Sequence, residues 1–282
     1  MKICTTIDQA RDACRAARRA GARIGLIPTM GALHGGHLSL VRAAKGQSNF
    51  VAVSIFVNPL QFGPTEDFST YPRTFERDRD LLKHEGVDLI FAPSVAEMYP
   101  KDAVTYVNVE GLSERLDGKS RPGHFRGVTT VVAKLFHIIE PDAAFFGQKD
   151  AAQIAIIRRT VRDLNMPVEI VACPIVREPD GLAMSSRNAY LDVDQRQQAL
   201  ALHRALSEVQ KRFDQGERCV ARLIEPGKQV LQREAAVRLD YLEVVTPDTL
   251  EPVESVAQGA LVAVAAYVGP TRLIDNVVLK AQ

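Results

Sequence analysis

Apolar positions along the first half of the chain switch between two periods. Residues 6–20 place Ile7, Ala10, Ala13, Cys14 and Ala17 at helical spacing, and Gly21 suits the stop. Ile24 to Ile27 is a short apolar run closed by Pro28, and Leu38 to Ala44 reads as helix. Val51 to Val57 (VAVSIFV) is a β-branched strand ended by Asn58-Pro59. Residues 74–85 predict a helix, Val87 to Ala92 a strand, Val128 to Ile139 a strongly apolar helix, and Ala143 to Phe146 a strand before Gly147. A helix over 150–164 and a strand over Val168 to Val176 follow. Strands alternating with helices of about 10–15 residues predict βαβ units, hence an α/β fold with a parallel sheet buried on both faces. Ligands of such sheets bind beyond the carboxyl ends of the strands.

The pattern changes after residue 176. Residues 177–190 (REPDGLAMSSRNAY) are polar and weakly periodic. Long helices are expected at 194–213 and 218–236, then strands at Tyr241 to Val245, Leu261 to Tyr267 and Arg272 to Leu279. This predicts a first domain over 1–176 and a smaller C-terminal α+β domain over 177–282, joined by a mobile loop that carries Met-Ser-Ser-Arg. The chain has no internal repeat.

Composition narrows the partners. The 282 residues carry 35 Lys+Arg and 34 Asp+Glu, a net charge of +1. Neither half has the basic surplus of a general nucleic-acid or membrane-surface binder. Asp8 and Asp12 stand where a signal peptide needs an apolar run, and Ala260 to Val268 is too short to span a bilayer. Cys4, Cys14, Cys173 and Cys219 form no C-x-x-C pair, which points to reduced thiols in a cytoplasmic protein.

Five segments could carry chemistry. IPTMGALHGGH (27–37) leaves a strand and enters a helix, so its glycines and amides could receive an anion. His34 and His37 share a helical face and could stabilise charge on a phosphoryl group. A zinc site would need a third ligand, and none is evident nearby. Neither G-x-G-x-x-G nor the P-loop pattern occurs. NPLQFG (58–63) offers Asn58 and Gln61 as uncharged groups that both donate and accept, suited to a small polar substrate. RPGHFRG (121–127) could clamp a carboxylate or phosphate through Arg121. FFGQKD (145–150) sets Lys149 at a helix start as a point charge for phosphates. Asp150 there could cap the helix or meet a ribose hydroxyl, and Gln153 faces the same side one turn on. MSSRN (184–188) could close two hydroxyls and an Arg over a nucleotide.

PTMGALHGGH, SIFVNPLQFG, YPRT, FFGQKD and DGLAMSSRNAYL occur in this order from residue 28 to about 191. Together they resemble the motif set of the pantothenate synthetase (pantoate–β-alanine ligase) family. HGGH looks like the H-x-G-H signature of the nucleotidyltransferase superfamily, and MSSR like that family's counterpart of the K-M-S-K-S loop. The resemblance implies a Rossmann-like first domain that binds nucleotide and pantoate. It implies that ATP, (R)-pantoate and β-alanine give pantothenate, AMP and pyrophosphate through pantoyl adenylate, with no enzyme nucleophile.

Residue by residue, the resemblance puts ATP on Met30, Gly31, Ala32, Leu33, His34, Gly35, Gly36 and His37. It adds Gly147, Gln148, Lys149, Asp150, Val176, Met184, Ser185, Ser186 and Arg187. His34, His37 and Lys149 become the catalytic set, with His37 as proton donor, and Arg187 neutralises phosphate charge. Gln61 and Gln153 match the pantoate glutamines, Gln61 also serving β-alanine; Asn58 and Arg121 join them as substrate contacts. Mg²⁺ would travel with ATP on phosphate oxygens and water, without assigned protein ligands. Glu76 and Asp78 lie in a segment often acidic in the family. A homodimer is implied. Gly35 stands where the family often has Glu, and Gln148 where Glu is also common. The rival readings are another nucleotidyltransferase of the same motif class and a non-catalytic nucleotide-binding module.

Overall fold

The computed structural model describes residues 1–64 and 66–281. The expected alternation is present. In the first part run β1 (Lys2–Cys4), α1 (Ile7–Arg19), β2 (Ile24–Thr29), α2 (Gly35–Lys45), β3 (Phe50–Ile55), α3 (Phe75–His84), β4 (Leu89–Phe91) and α4 (Val95–Met98). Then come α5 (Asp117–Ser120), α6 (His124–Ile139), β5 (Ala143–Gly147), α7 (Ala151–Asp163) and β6 (Glu169–Cys173). The six strands pair as one sheet in the order β1-β4-β3-β2-β5-β6, with neighbouring strands parallel throughout. Leu26 at its centre lies between Ala52 and Ala144, all buried, as the continuous apolar runs require.

Several boundaries differ from the sequence expectation, each for a local reason. Strand β2 runs through Pro28 to Thr29 instead of stopping before it. Beyond Leu26, among the described residues, its ladder partner is β3 alone, so the N–H that proline lacks is not missed by β5. Strand β3 ends at Ile55, not Val57, and β6 at Cys173, level with Gly147, not at Val176. Strand β1 has only three residues and no visible period. It is held by Lys2–Leu89 to Cys4–Phe91 pairing.

The last part is α8 (Val193–Asp214), α9 (Val220–Gln232), β7 (Val237–Val245), β8 (Ala260–Val268) and β9 (Thr271–Leu279). The three strands form an antiparallel meander, β7-β8-β9. One face of it builds a separate core with the helices, around Leu202, Leu206, Val262 and Val264. Val245, Leu250, Leu261 and Ala263 instead pack into the core beneath the parallel sheet. Polar ties reinforce this seam: Arg272 of β9 bonds Asp117 of α5 at 2.7 Å, and Asn276 donates to the Lys149 carbonyl at 2.9 Å. The second sheet therefore grips the turn that carries Lys149.

Candidate active site

Strand β2 hands the chain to the histidine segment through a tight turn. Gly31 at φ +84° and Ala32 at φ +50° both occupy left-handed backbone, which is costly for alanine. The turn is held by Asp78 of α3, which is fully buried. Its Oδ2 accepts from the Ala32 N–H at 2.8 Å, and its Oδ1 from the Leu33 N–H at 2.9 Å and the Thr74 hydroxyl at 3.2 Å. A Cβ at position 31 would lie 3.1 Å from that Oδ2.

The two histidines then cap α2 reciprocally. His34 Nδ1 accepts from the Gly36 N–H at 3.2 Å, and His37 Nδ1 from the His34 N–H at 3.3 Å. A backbone N–H can only donate, so each Nδ1 is an acceptor and each ring keeps its proton on Nε2. The rings lie 4.2 Å apart. Burial, followed by the charge of Lys149, lowers His34 to about 4. Burial, followed by His34 and Lys149, lowers His37 to about 3. Both are neutral near pH 7 and can offer an Nε2–H. The helix start is less open to an anion than its glycines predict, since His34 already takes the Gly36 amide.

Two adjoining cavities open over the carboxyl ends of β2, β3 and β5. The smaller, of about 190 Å³, is bounded by Met30, His37, Asn58, Gln61 and Gln153 on its polar side. Val128, Val131, Val132 and Leu135 of α6, with Phe146 of β5, form its apolar wall. The larger, of about 720 Å³, includes Lys149, Asp150, Gln153, Ser185 and Arg187. Arg121, His124, Asp150, Gln153 and Arg187 border both, so the chambers communicate.

The loop after β6 reaches the same cleft. Met184 N–H donates to the Val176 carbonyl at 3.0 Å, and a Cβ at Gly35 would lie 3.1 Å from Met184 Sδ. Methionine thus packs where the family often carries Glu. Ser185 lines the large chamber, and the Ser186 hydroxyl shares a 3.3 Å bond with Tyr71. Gln148 turns to Asn276 at 3.2 Å, and Gly147 ends β5. Lys149 Nζ lies 3.8 Å from Asp150. Asp150 occupies the cap position of α7 without bonding it, which leaves its carboxylate facing the cleft. Residues 34–37, 147–153 and 184–187 are therefore neighbours in space.

Other side chains are engaged differently from the sequence expectation. Arg187 is paired with Asp67 through contacts of 2.9 and 3.1 Å. Burial pushes the Asp67 carboxyl up, but Arg187 outweighs it and holds the group below its usual value. Arg121 is likewise paired with Glu66 at 2.6 Å, and its Nη1 meets His124 Nε2 at 3.0 Å. Burial and then Arg121 lower His124 to about 4. Asn58 is buried, and its amide is fully used by Leu60, Gly127, Tyr99 and Gln61. It supports Gln61 rather than standing free for a ligand. Asp78, in the acidic segment, spends both oxygens on the turn, and the chain of Glu76 meets Arg79. Among the described residues, no cluster of three or more His, Cys, Asp or Glu could hold a metal.

Sequence reasoning missed Glu66, Asp67, Tyr99 and the apolar wall of α6. The wall had a signal, because α6 is apolar on more of its circumference than one sheet face needs. The two carboxylates had none, since their partners lie 55 and 120 residues away.

Comparison with known proteins agrees with this arrangement. The family model for pantoate-beta-alanine ligase matches residues 2–278. The pantothenate synthetase of Koribacter versatilis is 61% identical over 281 residues, which cover 100% of this chain and 97% of that protein. The crystal structure of pantothenate synthetase from Thermus thermophilus superposes with a TM-score of 0.93 at 48% identity, covering 98% of this chain and 99% of that one. The pantoate-beta-alanine ligase of Francisella tularensis, solved as a complex with beta-gamma ATP and beta-alanine, gives a TM-score of 0.81 at 33% identity. That match covers 99% of this chain and 97% of the other. With the same fold, full-length coverage and the motif residues gathered at one cleft, the chain belongs to the pantoate-beta-alanine ligase family.

Proposed function

We propose that the paired chambers carry out the ligation of pantoate and β-alanine in two steps, with ATP as co-substrate and pantoyl adenylate between them. The observation that carries this is the small amide-and-apolar chamber, with His37 on its wall, opening onto a larger polar one across a border that includes Asp150, Gln153 and Arg187. Pantoate has two methyl groups on one carbon, flanked by hydroxyl and carboxylate oxygens. The α6 wall suits the methyl groups, and Gln61 and Gln153 suit the oxygens. The triphosphate belongs in the larger chamber, beside Lys149, Asp150, Ser185 and Arg187; of the other expected ATP residues, Met30 and His37 line the smaller chamber, while Ala32 and Leu33 are buried and serve the turn.

The pantoate carboxylate attacks the α-phosphorus; an acyl–phosphate bond forms, the bond to the bridging oxygen breaks, and pyrophosphate leaves. The β-alanine amine then attacks the activated carbonyl, loses a proton, and AMP departs with the carboxylate oxygen. No side chain forms a covalent bond, so the protein's contribution is orientation and charge stabilisation. His34 and His37 supply Nε2–H hydrogen bonds as neutral rings, with Lys149 the fixed positive charge. Arg187 must exchange Asp67 for phosphate oxygens, and Arg121, on the shared border, must likewise release Glu66 to meet a substrate. Mg²⁺ is assigned to the nucleotide itself, on phosphate oxygens and water. Among the described residues, no carboxylate or histidine cluster forms a cage for it.

We also propose lobes over 1–176 and 177–282, a homodimer and a cytoplasmic setting. Sedimentation of the purified chain tests the dimer. Among the described residues, no helix is long and apolar enough to cross a membrane. The central test is incubation with ATP, Mg²⁺, pantoate and β-alanine, with products identified by mass spectrometry. AMP and pyrophosphate should rise in step with pantothenate, and pantoate alone should support exchange of pyrophosphate into ATP. Release of ADP and phosphate instead would refute adenylation.

A further inference from the structure

Gln61 borders the small chamber, yet the way its amide is turned is set, through Asn58, by residues outside that chamber. Two of the four groups around Asn58 cannot change role. The Leu60 N–H is a donor and sits 3.2 Å from Oδ1; the Gly127 carbonyl is an acceptor and sits 3.0 Å from Nδ2. They pin the Asn58 amide in one of its two flips. Tyr99, 2.9 Å from the same Oδ1, must then donate its hydroxyl proton. The second N–H of Asn58 points at Gln61 Oε1, 3.1 Å away. That leaves Gln61 Nε2 on the chamber side, and its partner there is Met30 Sδ at 3.0 Å, a weak acceptor. An amide donor facing only sulfur is poised for an oxygen.

The backbone is shaped for this relay. A Cβ on residue 127 would lie 2.2 Å from the Leu60 carbonyl, so only glycine lets α6 approach the 59–61 turn and put its carbonyl within reach of Asn58. Tyr99 borders neither chamber. Burial raises its hydroxyl above the ordinary phenol value, which keeps it a donor. Its ring is held independently, 6.0 Å from Phe56 and under Lys134.

We propose that Tyr99 is a positioning residue for the acid substrate: Leu60 and Gly127 set the flip of Asn58, and the Tyr99 hydroxyl adds the bond that holds Asn58 in place against Gln61, so that the N–H donors of Gln61, not its carbonyl, meet the oxygens of pantoate. This rests on the reading of the small chamber as the acid's site. The chemistry recognised is an acceptor oxygen, carboxylate or hydroxyl, beside a compact branched alkyl group.

Tyr99→Phe removes the hydroxyl and keeps the ring. With the other substrates saturating, KM for pantoate should rise about tenfold, the worth of one hydrogen bond, while KM for ATP stays within about twofold. In a Gln61→Ala background Tyr99→Phe should add nothing, because the group it orients is gone. Gln61→Glu, which keeps the acceptor toward Asn58 but offers oxygen to the chamber, should bind pantoate less well than Gln61→Ala. The proposal is overturned by an unchanged pantoate KM in Tyr99→Phe, by the same rise in the Gln61→Ala background, or by wild-type pantoate binding in Gln61→Glu. If Tyr99→Phe fails to fold, Gln61→Glu still decides which atom faces the acid. A wild-type protein that makes no pantothenate defeats the chamber reading instead, and so is told apart from a failure of the relay.

Discussion

Replacing Asp78 by asparagine changes few atoms but reverses the role of one. The carboxylate accepts from Ala32 and Leu33 on separate oxygens, at 2.8 and 2.9 Å. An asparagine has one acceptor oxygen. If it stays with Leu33 and Thr74, the new NH₂ faces the Ala32 N–H, donor against donor. A hydrogen bond to a charged group contributes about 1.5–3 kcal/mol, and an abandoned buried N–H costs about 1–3 kcal/mol, in part the same loss counted twice. A net cost of about 3 kcal/mol follows, a large share of the roughly 5–15 kcal/mol typical of a domain but not all of it. The freed bond also held Ala32 in left-handed backbone. As that turn relaxes, His34 and His37 move with it, and a displacement of about 1 Å can cost about 100-fold in rate. Urea unfolding monitored by circular dichroism gives the first number, and initial rates of pantothenate formation give the second. A stability loss below about 0.5 kcal/mol together with unchanged turnover would show that Asp78 does not hold the loop.

Two further outcomes are expected. Asp67→Asn removes the carboxylate that competes with phosphate for Arg187, so KM for ATP should fall severalfold; a rise would mean that Asp67 orders the loop for nucleotide instead. His34, His37 and His124 bind protons more weakly than free imidazole, at about 4, 3 and 4 against 6.5. The unfolded chain therefore takes up protons first, and unfolding free energy should drop as pH falls from about 7 to about 4 while staying flat above. Denaturation curves at two pH values in that window should show a shallower slope for His37→Asn; an identical slope would contradict the buried neutral ring.

The sequence by itself determined the element types, the parallel class of the main sheet, the end of the sheet over which the cavities open, and the motif segments that meet there. These follow from local quantities: the period of apolar positions, β-branched runs, and glycines at turns that need left-handed backbone. What only the tertiary structure decided is who satisfies whom. Asn58 and Arg187 looked equally available in the sequence, yet one is spent on Leu60, Gly127, Tyr99 and Gln61, and the other is held by a carboxylate 120 residues earlier. Asp78, placed by the sequence only in a segment often acidic in the family, proved to be the buried anchor of the histidine turn. Hydrogen-bond partners are set by distance in space, and a buried donor or acceptor must find one wherever the packed chain brings it, so residue type alone cannot tell a free group from an occupied one.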